Sequence, residues 1–223
     1  MLTSHSLRRI ELLLTGVSCM VLSLIVVMAL RPDGAVGYRI SQWRVSIRDR
    51  QRIAANWQAL LSSGNRLDST HVVPRLVEFA DYECPYCKRA HYAIKELLRE
   101  HAELAVVYRN LPLPIHPAAR GAARASVCAA AQGRFLEMHD RLFETNAWQD
   151  DTSWAREALA AGVGDSAEFR RCLHRASTDE VLRRDSALAA TLGVTATPTF
   201  FTQRGRWSGS LTNADLVRLL GTR

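Results

Sequence analysis

Residues 76–80, Leu-Val-Glu-Phe-Ala, form a short apolar run broken by one acid, and this pattern predicts a buried strand. Beyond it the period changes: Ala90, Ile94, Leu97 and Leu98 fall at helical spacing over residues 88–100. A second strand is predicted over 104–108. Segment 111–117 carries three prolines and excludes helix, because proline lacks the donor and restricts its predecessor. Helical patterning follows from 118 to 175, with breaks near Gly133, at 146–151 and at 162–164. A helix over 179–192, a strand over 199–202, a turn at Arg204 and Gly205 and a short strand over 207–209 come next. A closing helix runs from a Thr212 or Asn213 cap to Leu220. Upstream, a Gly-containing break at 33–38 precedes a helix over 41–61, whose Val45, Ile47, Ile53, Trp57, Leu60 and Leu61 lie among arginines. The order β-α-β, helical block, α-β-β-α predicts an α/β fold, with a mixed sheet and helices on both faces.

The N-terminal pattern is of another kind. Residues 12–30 run without a charge between Arg8, Arg9 and Glu11 on one side and Arg31 and Asp33 on the other. That length predicts an uncleaved transmembrane signal anchor after a tail of residues 1–11, since no clear cleavage site follows, with a cleaved signal peptide as the alternative. Arg31, Arg39, Arg44 and Arg48 outnumber Arg8 and Arg9, so charge counting alone leaves the orientation open. A long downstream domain translocates with little regard to such charges. The catalytic domain is therefore expected on the extracytoplasmic, periplasmic side of a single-pass cell-membrane anchor. Residues 31–69 are expected to be a juxtamembrane helical spacer, and residues 70–223 the folded domain.

Composition adds a limit. The chain of 223 residues is 48% hydrophobic with net charge +7, ample for a globular core. The charge is spread along the chain, with no aromatic-interleaved basic stripe, so no nucleic-acid partner is expected.

Candidate chemistry centres on Cys84-Pro85-Tyr86-Cys87, where the first strand turns into the first helix. Cys84 falls at a helix N-terminus, which favours a thiolate, and Cys87 lies one turn on. A reversible thiol–disulfide couple is the first reading. A metal site would need further ligands; His91 is near in sequence, but no second pair completes a tetrahedral set. Glu78 is an acid inside an apolar strand, costly there unless exposed or needed, and is read as a buried proton acceptor for Cys87. Pro198 opens strand 199–202, and local sequence alone favours a trans Thr197–Pro198 bond. Cys128 and Cys172 lie in the helical block, either as buried free thiols or as a bonded pair. Cys19 lies inside the apolar span. His116 is expected to cap the next helix and His139 to pack in the helical block.

Residues 78–87, Glu-Phe-Ala-Asp-Tyr-Glu-Cys-Pro-Tyr-Cys, and 195–201, Thr-Ala-Thr-Pro-Thr-Phe-Phe, resemble the DsbA-like thiol:disulfide oxidoreductase branch of the thioredoxin superfamily. Residues 129–143 resemble that branch's inserted helical subdomain, expected at about 117–176, and the likeness covers about 72–220. The resemblance implies a thioredoxin-like fold with Cys84 as the exposed nucleophile, Cys87 as the resolving thiol and Glu78 as the buried acid. It also implies a cis Pro198 whose predecessor, Thr197, pairs with substrate backbone, and places Pro85 and Tyr86 at the substrate face. Similar cysteines in some relatives imply a structural disulfide between Cys128 and Cys172. The chain departs at one place: strongly oxidising members carry Pro-His between the cysteines, and Pro-Tyr also occurs in reductants and isomerases.

These readings converge on a membrane-anchored, extracytoplasmic thiol:disulfide oxidoreductase, most simply a DsbA-like oxidant. Reductase or isomerase activity, a non-catalytic metal-binding module using Cys84, Cys87 and His91, and a docking scaffold remain alternatives. No cofactor beyond the Cys84–Cys87 disulfide and no metal are expected. Expected partners are client proteins with thiols or disulfides and a membrane redox partner, either a quinone-linked oxidase or an electron donor.

Overall fold

The structure, a computed structural model, describes residues 35–62, 64–68, 72–150 and 154–220. The anticipated tail, the span at 12–30 and Cys19 lie outside the described residues. Among the described residues, no helix is long and apolar enough to cross a membrane. The first helix, α1, is Ala35–Leu61, so the expected break at 33–38 does not extend past residue 34. One glycine inside a 27-residue helix costs only about 1 kcal/mol against alanine, too little to stop it.

A compact unit spans Asp49–Arg223. Its sheet comprises β1 (Asn65–Arg66), β2 (Leu76–Ala80), β3 (Val106–Asn110), β4 (Thr199–Thr202) and β5 (Gly205–Ser208), in the order β1-β3-β2-β4-β5. Strands β2 and β3 are parallel, and the other pairs are antiparallel. Strand β2 is central and buried on both faces, as its near-continuous apolar run requires. The second strand lies two residues later than its pattern predicts. Its last two residues are polar, but both are buried and side-chain bonded: Arg109 to Asp185 and Asn110 to Ser126. The two-residue β1 was not anticipated; such a strand carries no period to read.

Alternation along β2 divides the core. Val77 and Phe79 pack with Val107, Phe201, and Ile53, Trp57 and Leu60 of α1, together with Ala189 and Leu192. Helix α8 (Ala176–Thr191) supplies Ala189. The segment expected as a spacer thus contributes core side chains well before residue 70. On the opposite face, Leu76, Val106 and Phe200 meet Ala90, Ile94 and Leu97 of α2 (Pro85–Glu100). Leu216 and Leu220 of α9 (Asn213–Leu220) complete that layer. Between β3 and α8 lie α3 (Ala119–Ala130), α4 (Phe135–Glu144), α5 (Ala147–Asp150), α6 (Trp154–Ala160) and α7 (Ser166–Leu173). They form a third apolar cluster, with Met138, Leu142, Phe143, Trp148 and Phe169 at its centre, continuous with Cys84 and Cys87.

Cys128 of α3 and Cys172 of α7 are bonded across 44 residues, with Cα atoms 5.7 Å apart. Closing a loop of that length stabilises a fold by about 4 kcal/mol on the chain-entropy model. Replacing both cysteines by serine is expected to lower unfolding stability by about 2–5 kcal/mol in urea titrations. A loss below about 1 kcal/mol would contradict that role.

Candidate functional site

Two chain segments converge on the cysteines. The first is the β2–α2 junction. Cys84 is the N-cap residue of α2, in an extended conformation, with Pro85 at the first helical position. Proline suits that position because its missing N–H would have had no helical partner, and its φ is preset. The loop before Cys84 is fixed by Asp81, whose Oδ1 accepts from the Glu83 backbone N–H at 2.8 Å. Its Oδ2 accepts from Leu113 N–H at 2.7 Å and lies 2.8 Å from His116 Nδ1. Glu83 in turn accepts from Ala118 N–H at 2.8 Å. The Pro-rich loop thereby holds the cysteine loop. His116 does this with its ring, which pairs with Asp81 rather than capping the following helix.

The second segment follows α8. Gly193, at φ 68, ends that helix in the left-handed region glycine enters without penalty. Val194 N–H returns to Ala189 O at 2.8 Å, closing the turn. The chain then reaches Thr197 and Pro198, joined by a cis peptide bond, unlike the trans bond that local sequence favours. Cys84 Sγ lies 3.4 Å from Thr197 O.

Cys84 and Cys87 are unbonded, and Cys84, expected to be exposed, is 4% exposed because the Thr197–Pro198 segment lies against it, while Cys87 is wholly buried. They differ sharply in acidity. The Cys87 thiol donating to the Cys84 sulfur is the largest influence on Cys84. Backbone donors at the helix start add to it, and against the cost of burial they bring Cys84 down to about 5. Cys87 is pushed far above the ordinary thiol range, first by burial and then by its donation to Cys84 and the nearby Glu78. The Asp81 N–H, 3.5 Å from Cys87 Sγ, offsets little of this.

Glu78 is 1% exposed, with no hydrogen-bond partner for Oε1. Burial, then the negative charge of Cys84, raises its carboxyl from 4.5 to about 8. The folded protein therefore holds this proton more tightly than the unfolded chain. The cost to stability starts near pH 4.5, grows with pH and levels off above about 8. Glu78→Gln is expected to stabilise the domain by about 2–3 kcal/mol near pH 7, with the gain vanishing near pH 4. Urea midpoints at the two pH values check this; an equal change at both would contradict it.

Of the other anticipated residues, Pro85 is at the helix start and Tyr86 is 53% exposed beside the cysteines. The Arg89 guanidinium sits 4.5 Å over the Tyr86 ring, and Ser210 Oγ donates to Tyr86 O at 3.0 Å. His91 turns away from the sulfurs. Its Nδ1 lies 3.3 Å from His139 and its Nε2 3.5 Å from Glu144, so it does not join the cysteines as a third ligand. Sequence reasoning missed Asp81. Its one local signal was an acid directly after a buried strand, a position where a carboxylate commonly collects loop N–H groups.

The family model described as Thioredoxin matches residues 70–221. The catalytic domain of Proteus mirabilis ScsC is similar in fold, with TM-score 0.67 and 22% identity, covering 77% of this chain and 96% of that one. A thioredoxin-like oxidoreductase from Silicibacter pomeroyi aligns with TM-score 0.65 and 26% identity, over 72% of this chain and 91% of that one. Among curated proteins, a Na(+)/H(+) antiporter NhaA 1 of Mycobacterium sp. strain KMS is 43% identical over 154 residues, covering 65% of this chain and 24% of that protein. The chain spans about a quarter of the length of the curated relatives it matches.

Proposed function

This chain belongs to the thioredoxin family, and we propose that it is a DsbA-like thiol:disulfide oxidoreductase that works as an oxidant, passing the Cys84–Cys87 disulfide to client proteins. The carrying observation is the opposed acidity of the two thiols. A sulfur whose thiolate is favoured down to about pH 5 stabilises the reduced form, and a couple with a stabilised reduced form is oxidising. Tyr86 supplies no charge of its own. The Cys87 thiol and the helix-start N–H groups do that work.

In the forward direction a client thiolate attacks Cys84 Sγ of the disulfide. The S–S bond breaks and Cys87 leaves as a thiolate. It takes the proton of Glu78, whose carboxyl is kept by burial well above the usual carboxylate range. A second client thiol, as thiolate, then attacks the client sulfur of the mixed disulfide and expels Cys84, a good leaving group because its thiol is unusually acidic. The client gains one disulfide and the pair becomes reduced. Clients bind as extended chains against the Thr197–Pro198 backbone and the exposed Tyr86 ring.

The same reading places a membrane anchor at 12–30 and the domain on the extracytoplasmic side. The Cys128–Cys172 bond requires an oxidising compartment. Turnover then needs a membrane partner, a quinone-linked oxidase, to restore the disulfide. Two tests apply. Oxidised protein mixed with a reduced, unfolded substrate protein should lose its disulfide as the substrate gains one; no transfer rejects the reading. Expressed full length, the protein should stay with membranes after alkaline extraction, and after brief reduction of intact cells Cys84 should react with a thiol reagent that does not cross the membrane.

A further inference from the structure

A row of buried polar side chains runs from the neighbourhood of Glu78 to the surface, and thiol exchange as described uses none of them. Tyr108 stands beside Glu78 in the β2–β3 register, so both side chains leave the same face of the sheet. The Tyr108 hydroxyl, like Glu78 Oε1, is buried with no partner. Its ring lies 5.3 Å from the ring of Tyr82. From Tyr82 to His91 the contacts are continuous, and His91 Nε2, buried without a hydrogen-bond partner, is the last atom before the surface. The Tyr82 hydroxyl is 3.2 Å from His139 Nδ1, and His139 Nε2 is 3.3 Å from His91 Nδ1. His91 Nε2 is 3.5 Å from Glu144 Oε1, whose side chain is 39% exposed.

Both imidazoles are neutral: burial depresses His139 and His91 below the ordinary histidine value, and Lys95 adds to this. A neutral imidazole donates from one nitrogen and accepts at the other. One set of tautomers therefore joins the row, with Tyr82 donating to His139 and His139 to His91, and leaves His91 Nε2, carrying its N–H, 3.5 Å from Glu144 Oε1. A proton passing outward inverts both rings, and a proton passing inward resets them.

We propose that Tyr82, His139, His91 and Glu144 form the path by which Glu78 exchanges its proton with solvent. The proposal rests on the oxidoreductase reading above. Each redox cycle moves one proton each way along the row. When a client is oxidised, Glu78 gives its proton to the departing Cys87 thiolate and recovers one through Tyr108 and Tyr82. On reoxidation Glu78 first passes its proton outward along the row, and as carboxylate then takes the proton that Cys87 loses. Electrons stay with the sulfurs throughout.

The charges around the row suit this. Glu78 faces Cys84, Cys87, Tyr82 and Tyr108. His91 faces Asp140 and Glu144 of α4 and Lys95 of its own helix. Lys95 bridges Asp140 and Glu144 at 2.8 and 2.6 Å. Lys95 holds Glu144 below the usual carboxylate range, so an ionised collector stands at the outer end.

The test follows the return stroke. Full-length protein is loaded at Cys84 as a mixed disulfide with glutathione. The thiol of Cys87 must lose its proton to attack Cys84 Sγ and release glutathione thiolate, so the release rate reads the outward path. His91→Gln and His139→Gln keep a donor and an acceptor at each place but cannot relay as imidazole does. Both are expected to slow release about tenfold or more near neutral pH. The alkylation rate of Cys84 and its pH profile should be unchanged, which a loosened structure would not allow. Glu144→Gln, at the surface, should slow release without altering the buried residues. Release at the wild-type rate in both histidine variants would overturn the proposal, as would slowing matched by an equal shift in the Cys84 profile. Failure of the oxidoreductase reading looks different: wild-type Cys84 would then form no mixed disulfide.

Discussion

Cys84→Ser is expected to reduce disulfide transfer to the uncatalysed rate, whereas Cys87→Ser should accumulate a covalent complex with client. The two outcomes differ because the thiols hold different environments. Cys84, at the start of α2 and held near pH 5, is present as thiolate at neutral pH, and only a thiolate attacks or leaves readily. Serine has no accessible anion there. Cys87 is wholly buried and its thiol is strongly disfavoured from ionising, so it acts only on a sulfur brought next to it at Cys84. Without it, the mixed disulfide between Cys84 and client lacks its internal escape. Non-reducing gel electrophoresis separates the cases. Alkylation of Cys84 should also fall as pH drops through about 5, and a midpoint near the ordinary thiol value would contradict its raised acidity.

The largest expected loss of stability comes from a place with no role in the chemistry. Arg109 is 2% exposed, and its guanidinium lies 2.8 Å from Asp185 Oδ1. It also donates to Leu60 O at 3.0 Å and to the carbonyls of Ala59 and Ser62, so one side chain satisfies the C-terminal carbonyls of α1. Asp185 completes the junction by accepting from Asn110 N–H at 3.0 Å. Burial pushes the Asp185 carboxyl up, and Arg109 opposes that. Arg109→Met leaves a buried carboxylate unpaired and the end of α1 uncapped. The expected cost is about 3–5 kcal/mol, read from urea or thermal unfolding. The double variant Arg109→Met, Asp185→Leu should recover part of it, because replacing a whole buried pair costs less than breaking one. A single-variant loss under about 1 kcal/mol would contradict this.

That junction shows where sequence reading stops. Cys84, Cys87, Glu78 and Pro198 stand in short strings whose residue types announce them, and β4 matches its predicted bounds because an apolar run follows a proline. The order of elements was legible for the same reason, since changes of period are local. Contacts between distant residues were not. Arg109 and Asp185 are 76 positions apart, His91 and His139 are 48 apart, and Asp81 and His116 are 35 apart. Each of these reads singly as an ordinary polar residue. A charged Arg109 inside a run of strand residues was the one local sign that a buried partner must exist. The placement of Trp57 and Leu60 in the core was hidden by the arginines around them, which make the helix look solvated on every side.

The measurement that bears most directly on oxidant function is the reduction potential of the Cys84–Cys87 pair, equilibrated against glutathione and quantified by thiol trapping. A thiolate stabilised to about pH 5 predicts a potential nearer the roughly −120 mV of a strong oxidant than the roughly −270 mV of a reductant. A value near the latter would show that Tyr86 has set the pair to donate electrons, and would contradict an oxidising role.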